Sequence, residues 1–509
     1  MFVRKKQNKS GTVSVQIISK ENGYYQVVKT LGSSSDKDEI ERLVLKGKSI
    51  IHAGPPGQPW LFPIKTEQDL IVENCFTSLS NKQIRTIGPE LIFGALFDRL
   101  GFNAIKEELF RHLVITRLVY PTSKLKTIDY LERYQGVTVS ASAIYRFLDR
   151  LANRHKDQVA EIAYKHTQKR LTTISVVFYD MTTLYFEASD EDDLRKIGFS
   201  KDGKFQKPQI LLGLLVGEQG WPIGYDIFEG NTFEGHTLMP MLGKIQEKYG
   251  IQRPIVVADA ALLSKNNIAL LGERGYPFII GGRVKNENED IKATILSKAA
   301  EIKNGEGFVI SKPNSTRLIV TYSDKRARKD AHQRAEGLKK LRARVHSGAL
   351  TKQSLHNRGY NRFLSIQGQA TIAIDEEKVK QDQYWDGLKG YVTNTSLPIE
   401  KIVDHYLSLW QIERAFRISK TDLKVRPTHH YLKRRIEAHI SIAFVAYSIY
   451  KELECLLKQK GLEMSPRRAA ELTKNMYQIQ YILPDLGEQR RQLLKMDTEQ
   501  QALYDALYK

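Results

Sequence analysis

The chain has 509 residues, 41% hydrophobic and 27% charged, enough to build more than one packed core and unlike a disordered or low-complexity polymer. Lys and Arg total 78 against 58 Asp and Glu, a formal charge of +20, and a surface that basic favours a polyanionic partner. The two cysteines, Cys75 and Cys455, exclude a disulfide framework and a cysteine zinc site, and no apolar run reaches the roughly 18 residues of a membrane span. No apolar stretch follows Arg4, Lys5, Lys6 and Lys9, so no secretory signal is read there and a cytoplasmic, nucleoid-associated setting is expected.

Residues 1–60 read as short strands, with Val13-Ser-Val-Gln-Ile-Ile and Tyr24-Tyr-Gln-Val-Val split by Glu21-Asn-Gly, and Gly54-Pro-Pro-Gly-Gln-Pro as a linker. Residues 61–165 read as mainly helical. Pro121-Thr-Ser opens one helix that Gly136 breaks, and Ser140 caps another from Ala141. Helix, break, helix is compatible with a helix-turn-helix DNA reader, with Lys124, Lys126, Arg146 and Arg150 as phosphate contacts; a plain helical hairpin fits the pattern equally.

From 170 to 284 the pattern changes. Ile174-Ser-Val-Val-Phe-Tyr leads into Asp180, Ile210-Leu-Leu-Gly-Leu-Leu-Val and Pro222-Ile-Gly-Tyr-Asp-Ile-Phe form a hairpin, Pro254-Ile-Val-Val-Ala leads into Asp259, and Pro277-Phe-Ile-Ile closes the run. Three neighbouring strands followed by helix, strand, helix, strand is the order of an α/β, ribonuclease H-like core. Residues 285–400 interrupt it with short β segments around a stretch from Lys325 to Arg344 that carries nine Lys and Arg, read as an insertion domain with a basic, DNA-contacting helix. One long helix is expected from Lys401 to Lys424 in a second core segment, 401–450, and further helices over 451–509.

Two aspartates at strand ends and a glutamate on a later helix suit hard divalent cations, which take carboxylate oxygens and keep waters. Two such ions can activate an attacking oxygen and stabilise a leaving one. Each acid alone is weak, since an Asp at a strand end is more often a cap. The chain reads Tyr406-Leu-Ser-Leu-Trp410-Gln-Ile-Glu413-Arg-Ala-Phe416-Arg417-Ile-Ser-Lys420-Thr-Asp-Leu-Lys424-Val-Arg426-Pro427, Phe178-Tyr-Asp180-Met, Phe228-Glu-Gly-Asn231-Thr-Phe-Glu234-Gly-His236 and Val257-Ala-Asp259. Together these segments resemble bacterial insertion-sequence transposases of the DDE class with a Tyr-Arg-Glu-Lys signature.

The resemblance implies that Asp180, Asp259 and Glu413 are the catalytic triad and hold two Mg²⁺ or Mn²⁺ ions. It implies terminal inverted repeats and target DNA as partners, and a homodimer bridging two ends. Tyr406, Glu413 and Lys420 recur every seven residues, so on one helix they share a face, with Lys420 and Tyr406 gripping a phosphate. Trp410 and Phe416 are read as core packing. The signature's arginine is Leu409 here, which passes the phosphate contact to Arg414 or Arg417, with Lys424 and Arg426 further along. Trp385 stands near where relatives carry an aromatic that stacks on a flipped base, and is read either so or as a loop-core Trp beside Asp386-Gly, while Asn231 and His236 are read either as strand-positioning groups or as turn caps. Two rival readings use the same residues: a structure-selective nuclease of this fold, and a non-catalytic DNA-binding protein derived from a transposase.

Overall fold

The structure is a computed structural model and describes residues 1–21, 23–53, 72–73, 76–77, 79–200, 203–251, 253–260, 264–313, 315–348, 350, 356, 359–367, 371–426, 428–482 and 488–509. The linker expected at 54–59, Cys75 and Pro427 lie outside them. The chain divides into two compact units, residues 1–84 with 479–492, and residues 85–478 with 493–509.

The first unit opens with an antiparallel sheet of β1 (Phe2–Gln7), β2 (Val13–Glu21) and β3 (Tyr24–Ser34), in that order. Residues 37–53, read from sequence as part of a strand-rich segment, form helix α1 instead. Ile40, Leu43 and Gly47 recur at helical spacing and turn one face to the sheet. A β-carbon at Gly32 would meet Leu43 at 3.0 Å, and one at Gly47 would meet Leu31 at 2.7 Å.

A short strand, β4 (Ile84–Thr86), precedes the helices α2 (Ala95–Arg99), α3 (Glu108–Val119), α4 (Lys124–Tyr130), α5 (Ala141–Arg150) and α6 (Lys156–Leu171). Ser123 and Ser140 cap α4 and α5 by accepting from the amides of Lys126 and Ala143. Gly136 ends the first of these turns in the left-handed conformation, at φ 68°.

The second unit is built on an eight-stranded mixed sheet. Its strands are β5 (Val176–Tyr185), β6 (Gln209–Val216), β7 (Pro222–Glu229), β8 (Ile255–Ala258), β9 (Phe278–Gly282), β10 (Gly307–Lys312), β11 (Thr316–Tyr322) and β14 (Leu388–Thr393), ordered β10-β11-β14-β9-β8-β5-β6-β7. β5, β6 and β7 pair antiparallel, while β5, β8 and β9 run parallel. That arrangement fits a ribonuclease H-like core. β14 pairs antiparallel with β9, and β11 and β10 follow it, so strands from the interval 285–400 continue the same sheet. The hairpin β12 (Leu364–Gln367) with β13 (Thr371–Ile374) stands apart from it, over a small core of Leu338, Leu341, Phe363, Leu364 and Val379.

Both faces of the sheet are covered, which explains strands that read as apolar runs. Every residue of β6 is buried. Val177, Tyr179 and Met181 of β5 join a core with α7 (Leu238–Tyr249). Val176, Phe178 and Leu184 point the other way, into a core shared with α2 to α6 and with the C-terminal helices. After α8 (Lys265–Glu273), α9 (Glu289–Ala299), α10 (Asp324–His346) and α11 (Glu376–Gln383), the expected single helix over 401–424 is two helices, α12 (Ile399–Leu407) and α13 (Trp410–Arg417), ending in a π turn over Ile418–Asp422. Tight turn bonds cause the break, with the amides of Leu409, Gln411 and Ile412 reaching back three residues to Tyr406, Ser408 and Leu409. α14 (Lys433–Gln459) follows and is buried along most of its length. Among the described residues no helix is long and apolar enough to cross a membrane.

Candidate active site

Register decides which side chains meet. On the parallel pair, Phe178 lies opposite Val257 and Tyr179 opposite Ala258, after which β8 ends. The next residues are Asp180 and Asp259, side by side on strands about 4.8 Å apart. Asp180 is not at the end of its own strand, because β5 continues to Tyr185 against β6 and only its pairing with β8 stops. The parity of the strand fixes the face: Phe178 and Val257 belong to the core on the α12–α14 side, so Asp180 and Asp259, two residues on, face that side too. Both are half-buried, and Asp180 Oδ1 accepts from the Met181 amide at 2.7 Å.

The same row continues across the sheet. Val257 pairs with Ile279, which puts Gly281 next to Asp259, and Gly281 pairs with Tyr391. Gly281 has no side chain because Tyr406 fills that space. A β-carbon there would stand 2.5 Å from the Tyr406 hydroxyl and 3.1 Å from the Ala260 amide. Tyr406 meets Tyr391 edge-on at 4.9 Å, and the Lys389 ammonium lies 4.9 Å from its ring centre.

Burial pushes the Tyr406 phenol up to about 12, with the charges of Asp259 and Glu413 adding to the effect, so the hydroxyl keeps its proton. Burial pulls the Lys389 amine down, as does Arg326, while Asp259 opposes both. Arg283 donates from Nη2 to the Ala260 carbonyl at 2.7 Å, tying down the turn after Asp259. Lys389 and Arg283 carry no local signal in the sequence, and Arg326 stands out only as a member of the basic stretch 325–344. Each is one cation among 78, and only the fold brings it to this row.

Glu413 lies on α13, which packs against β5, and its side chain is exposed. Among the described residues no three His, Cys, Asp or Glu side chains are gathered as ligands of one ion. The donor set nonetheless suits a hard cation: two neighbouring carboxylates on one face, with a third charge that Tyr406 senses together with Asp259.

The remaining expected residues disperse. Leu409, in the place of the signature arginine, is buried in the core. Arg414 is ion-paired with Glu454, Arg417 is exposed, and Lys420 is half-buried in the π turn. Phe416 is buried, as expected, whereas Trp410 is 53% exposed, because the break before α13 turns it outward. Lys424 is exposed with φ 44°, and the Arg426 guanidinium lies 6.0 Å from the Tyr185 ring. Asn231 and His236 are exposed around the 3₁₀ turn Glu234–His236; the buried Thr237 hydroxyl anchors that turn, donating to the Glu234 carbonyl and accepting from Tyr179.

Trp385 lines a cavity of about 510 Å³ with Arg283, Arg326, Tyr360, Arg362 and Lys389. On α10, Arg334 is buried in a two-pronged pair with Asp386 at 2.5 Å, and Arg342 pairs with Glu376 at 3.1 Å. Part of that helix's charge is therefore used inside the fold, while Lys325, Arg328, Lys329, Lys339 and Lys340 stand exposed.

The family described as "Transposase DDE domain" matches residues 171–449. A "Transposase for insertion sequence element IS231E" from Bacillus thuringiensis subsp. finitimus is 28% identical over 151 residues, 28% of this chain and 30% of that protein, so the likeness spans under a third of the relative's length. Among solved structures, the chain is similar to a piggyBac transposase synaptic complex with hairpin DNA, at 8% identity, 76% coverage of both chains and TM-score 0.39. It is also similar to a Mos1 transposase paired-end complex with a left transposon end, at 14% identity, 47% coverage of this chain, 66% of that one and TM-score 0.16. Neither score equates the folds.

Proposed function

The chain belongs to the Transposase DDE domain family, and from that premise we propose that it is the DNA transposase of an insertion sequence, with Asp180, Asp259 and Glu413 as its catalytic acids. The observation that carries this reading is the placement of Asp180 and Asp259 side by side, on one face, where the parallel pairing of β5 and β8 stops. Carboxylates so close repel one another unless a cation lies between them. Mg²⁺ or Mn²⁺, two ions held by these three acids, would supply activation of the attacking oxygen and neutralisation at the leaving one.

The protein's own groups then bind and orient the strand. Tyr406, protonated and held over Gly281, can donate a hydrogen bond to a phosphate oxygen beside Asp259. Lys420, Arg417, Lys424 and Arg426 follow on the adjoining segment and suit the phosphates further along; Arg414, engaged by Glu454, is the weakest candidate among the cations. Trp385, partly packed on the core and lining a cavity that holds both cations and the carboxylates of Asp330, Asp382 and Asp386, offers a ring for stacking on an unpaired base. Asn231 and His236, exposed around a turn that Thr237 anchors, suit contacts to the cleaved strand. The charge of +20 favours duplex DNA, the element's inverted repeats and then the target. Joining two ends calls for two copies of the chain on DNA.

The test incubates purified protein with Mg²⁺ and a labelled element end, and resolves the products by denaturing electrophoresis. Cleavage that frees a 3′-OH, followed by joining of precut ends to a target, is expected. Cleavage without joining would leave a nuclease, and end binding without cleavage a non-catalytic DNA-binding protein.

A further inference from the structure

A second cationic site lies away from the carboxylates. A cavity of about 410 Å³ opens between the end of α3, the start of α4 and the residues 424–426 and 428–430, lined by Arg117, Lys124, Lys424, Arg426 and His430 among others, with no Asp or Glu in its described lining. Lys124 is 7% exposed and Arg117 5% exposed. The Arg117 guanidinium reaches the Leu423 and Lys424 carbonyls at 3.5 Å, the outer limit of a hydrogen bond. Burial holds the Lys124 amine well below its ordinary value, with Arg117 adding to the effect. Burial likewise brings His430 down to about 3, helped by Lys124 and Arg117, so the ring is neutral beside them.

Two cations buried together without a carboxylate are costly unless something anionic completes the site. Lys424 on the rim adopts φ 44°, a left-handed conformation that a side chain rarely takes, and strain of that kind concentrates where a ligand is held. The segment is also tied to the catalytic sheet, since Thr428 bridges Phe186 beyond the end of β5, the strand that carries Asp180.

We propose that this cavity is a phosphate-binding pocket, with Lys124 and Arg117 as its floor and Lys424 and Arg426 as its rim, and that it seats a phosphate of the DNA strand. The strand as its source rests on the proposed function; the phosphate chemistry does not. A tetrahedral anion accepts from the ammonium and the guanidinium together, and returns to Lys124 the charge compensation that burial removes.

The test uses the full chain without divalent metal, so that its outcome is independent of cleavage. Inorganic phosphate should raise Tm above chloride at equal ionic strength, and Lys124→Met should weaken phosphate binding on the order of 10-fold or more, the loss of one charge-assisted hydrogen bond. Without phosphate, Lys124→Met should melt no lower than the parent, because it removes a buried amine that no carboxylate in the described lining compensates. Should that variant not fold, Arg426→Gln, at the rim, should weaken phosphate binding in the same assay. Competition by a short single-stranded oligonucleotide assigns the strand as the source. Equal phosphate protection in the parent and both variants overturns the pocket, and protection by free phosphate that no oligonucleotide displaces overturns its assignment to DNA.

Discussion

The Tyr406 hydroxyl occupies the volume that a side chain at Gly281 would need, with only 2.5 Å to the position of a β-carbon. Gly281 is therefore the floor on which Tyr406 rests beside Asp259, and Gly281→Ala must push the ring away from the acids. Because errors of about 1 Å near reacting groups cost up to about 100-fold in rate, end cleavage should fall by one to two orders of magnitude. Binding of the uncut end, by gel shift, should change little. An alanine variant that cleaves at the parent rate would remove Tyr406 from the site.

The adjacency of Asp180 and Asp259 predicts a metal response that needs no DNA. A ligand that binds the folded state at 100 times its Kd stabilises it by about 2.7 kcal/mol. Mg²⁺ or Mn²⁺ should accordingly raise Tm in the parent, and Asp180→Ala or Asp259→Ala should abolish the rise along with cleavage. An unchanged metal-dependent shift in both variants would mean that the ions sit elsewhere.

The roles proposed for Glu413 and Lys420 separate chemistry from grip. Glu413→Ala should eliminate cleavage while preserving end binding, whereas Lys420→Ala should weaken end cleavage more than nonspecific DNA binding. Equal losses from Lys420→Ala in both assays would assign it to the general basic surface.

The parts of this site that sequence exposes are those with a periodic or apolar signal. The strands before Asp180 and Asp259 are buried on both faces and stand out as apolar runs. β14 does not, because Lys389 and Gly390 interrupt it; Gly390 is there because a β-carbon would meet Val284 at 2.5 Å, a long-range requirement that no local pattern encodes. The break between α12 and α13 is equally silent, since Ser408 and Leu409 contain neither proline nor glycine and the turn tightens through backbone bonds alone. That break also explains why Trp410, at a position that looks like core packing on a continuous helix, faces solvent. Trp410→Ala should cost no more than about 0.5 kcal/mol of stability, as surface substitutions usually do, whereas a loss of several kcal/mol in urea titration would contradict its exposure.

Glu452 on α14 has no solvent exposure and accepts from Arg170 Nε at 3.0 Å, with His166 Nε2 at 2.9 Å, both from α6. Burial alone would raise this carboxyl, but the hydrogen bonds from His166 and Arg170 outweigh it and hold it below the usual range. A carboxyl depressed in the folded state adds stability that is complete above its unfolded pKa, near 4.3, and that disappears as pH falls through the lower folded value. Glu452→Gln removes one partner of a buried pair and should cost about 3 kcal/mol at neutral pH. The gap between parent and variant, from urea unfolding across a pH series, should narrow steadily below about pH 4, where the parent's carboxyl also takes up its proton. A gap that stays constant from neutral pH down to 3 would show that the loss comes from packing and not from charge.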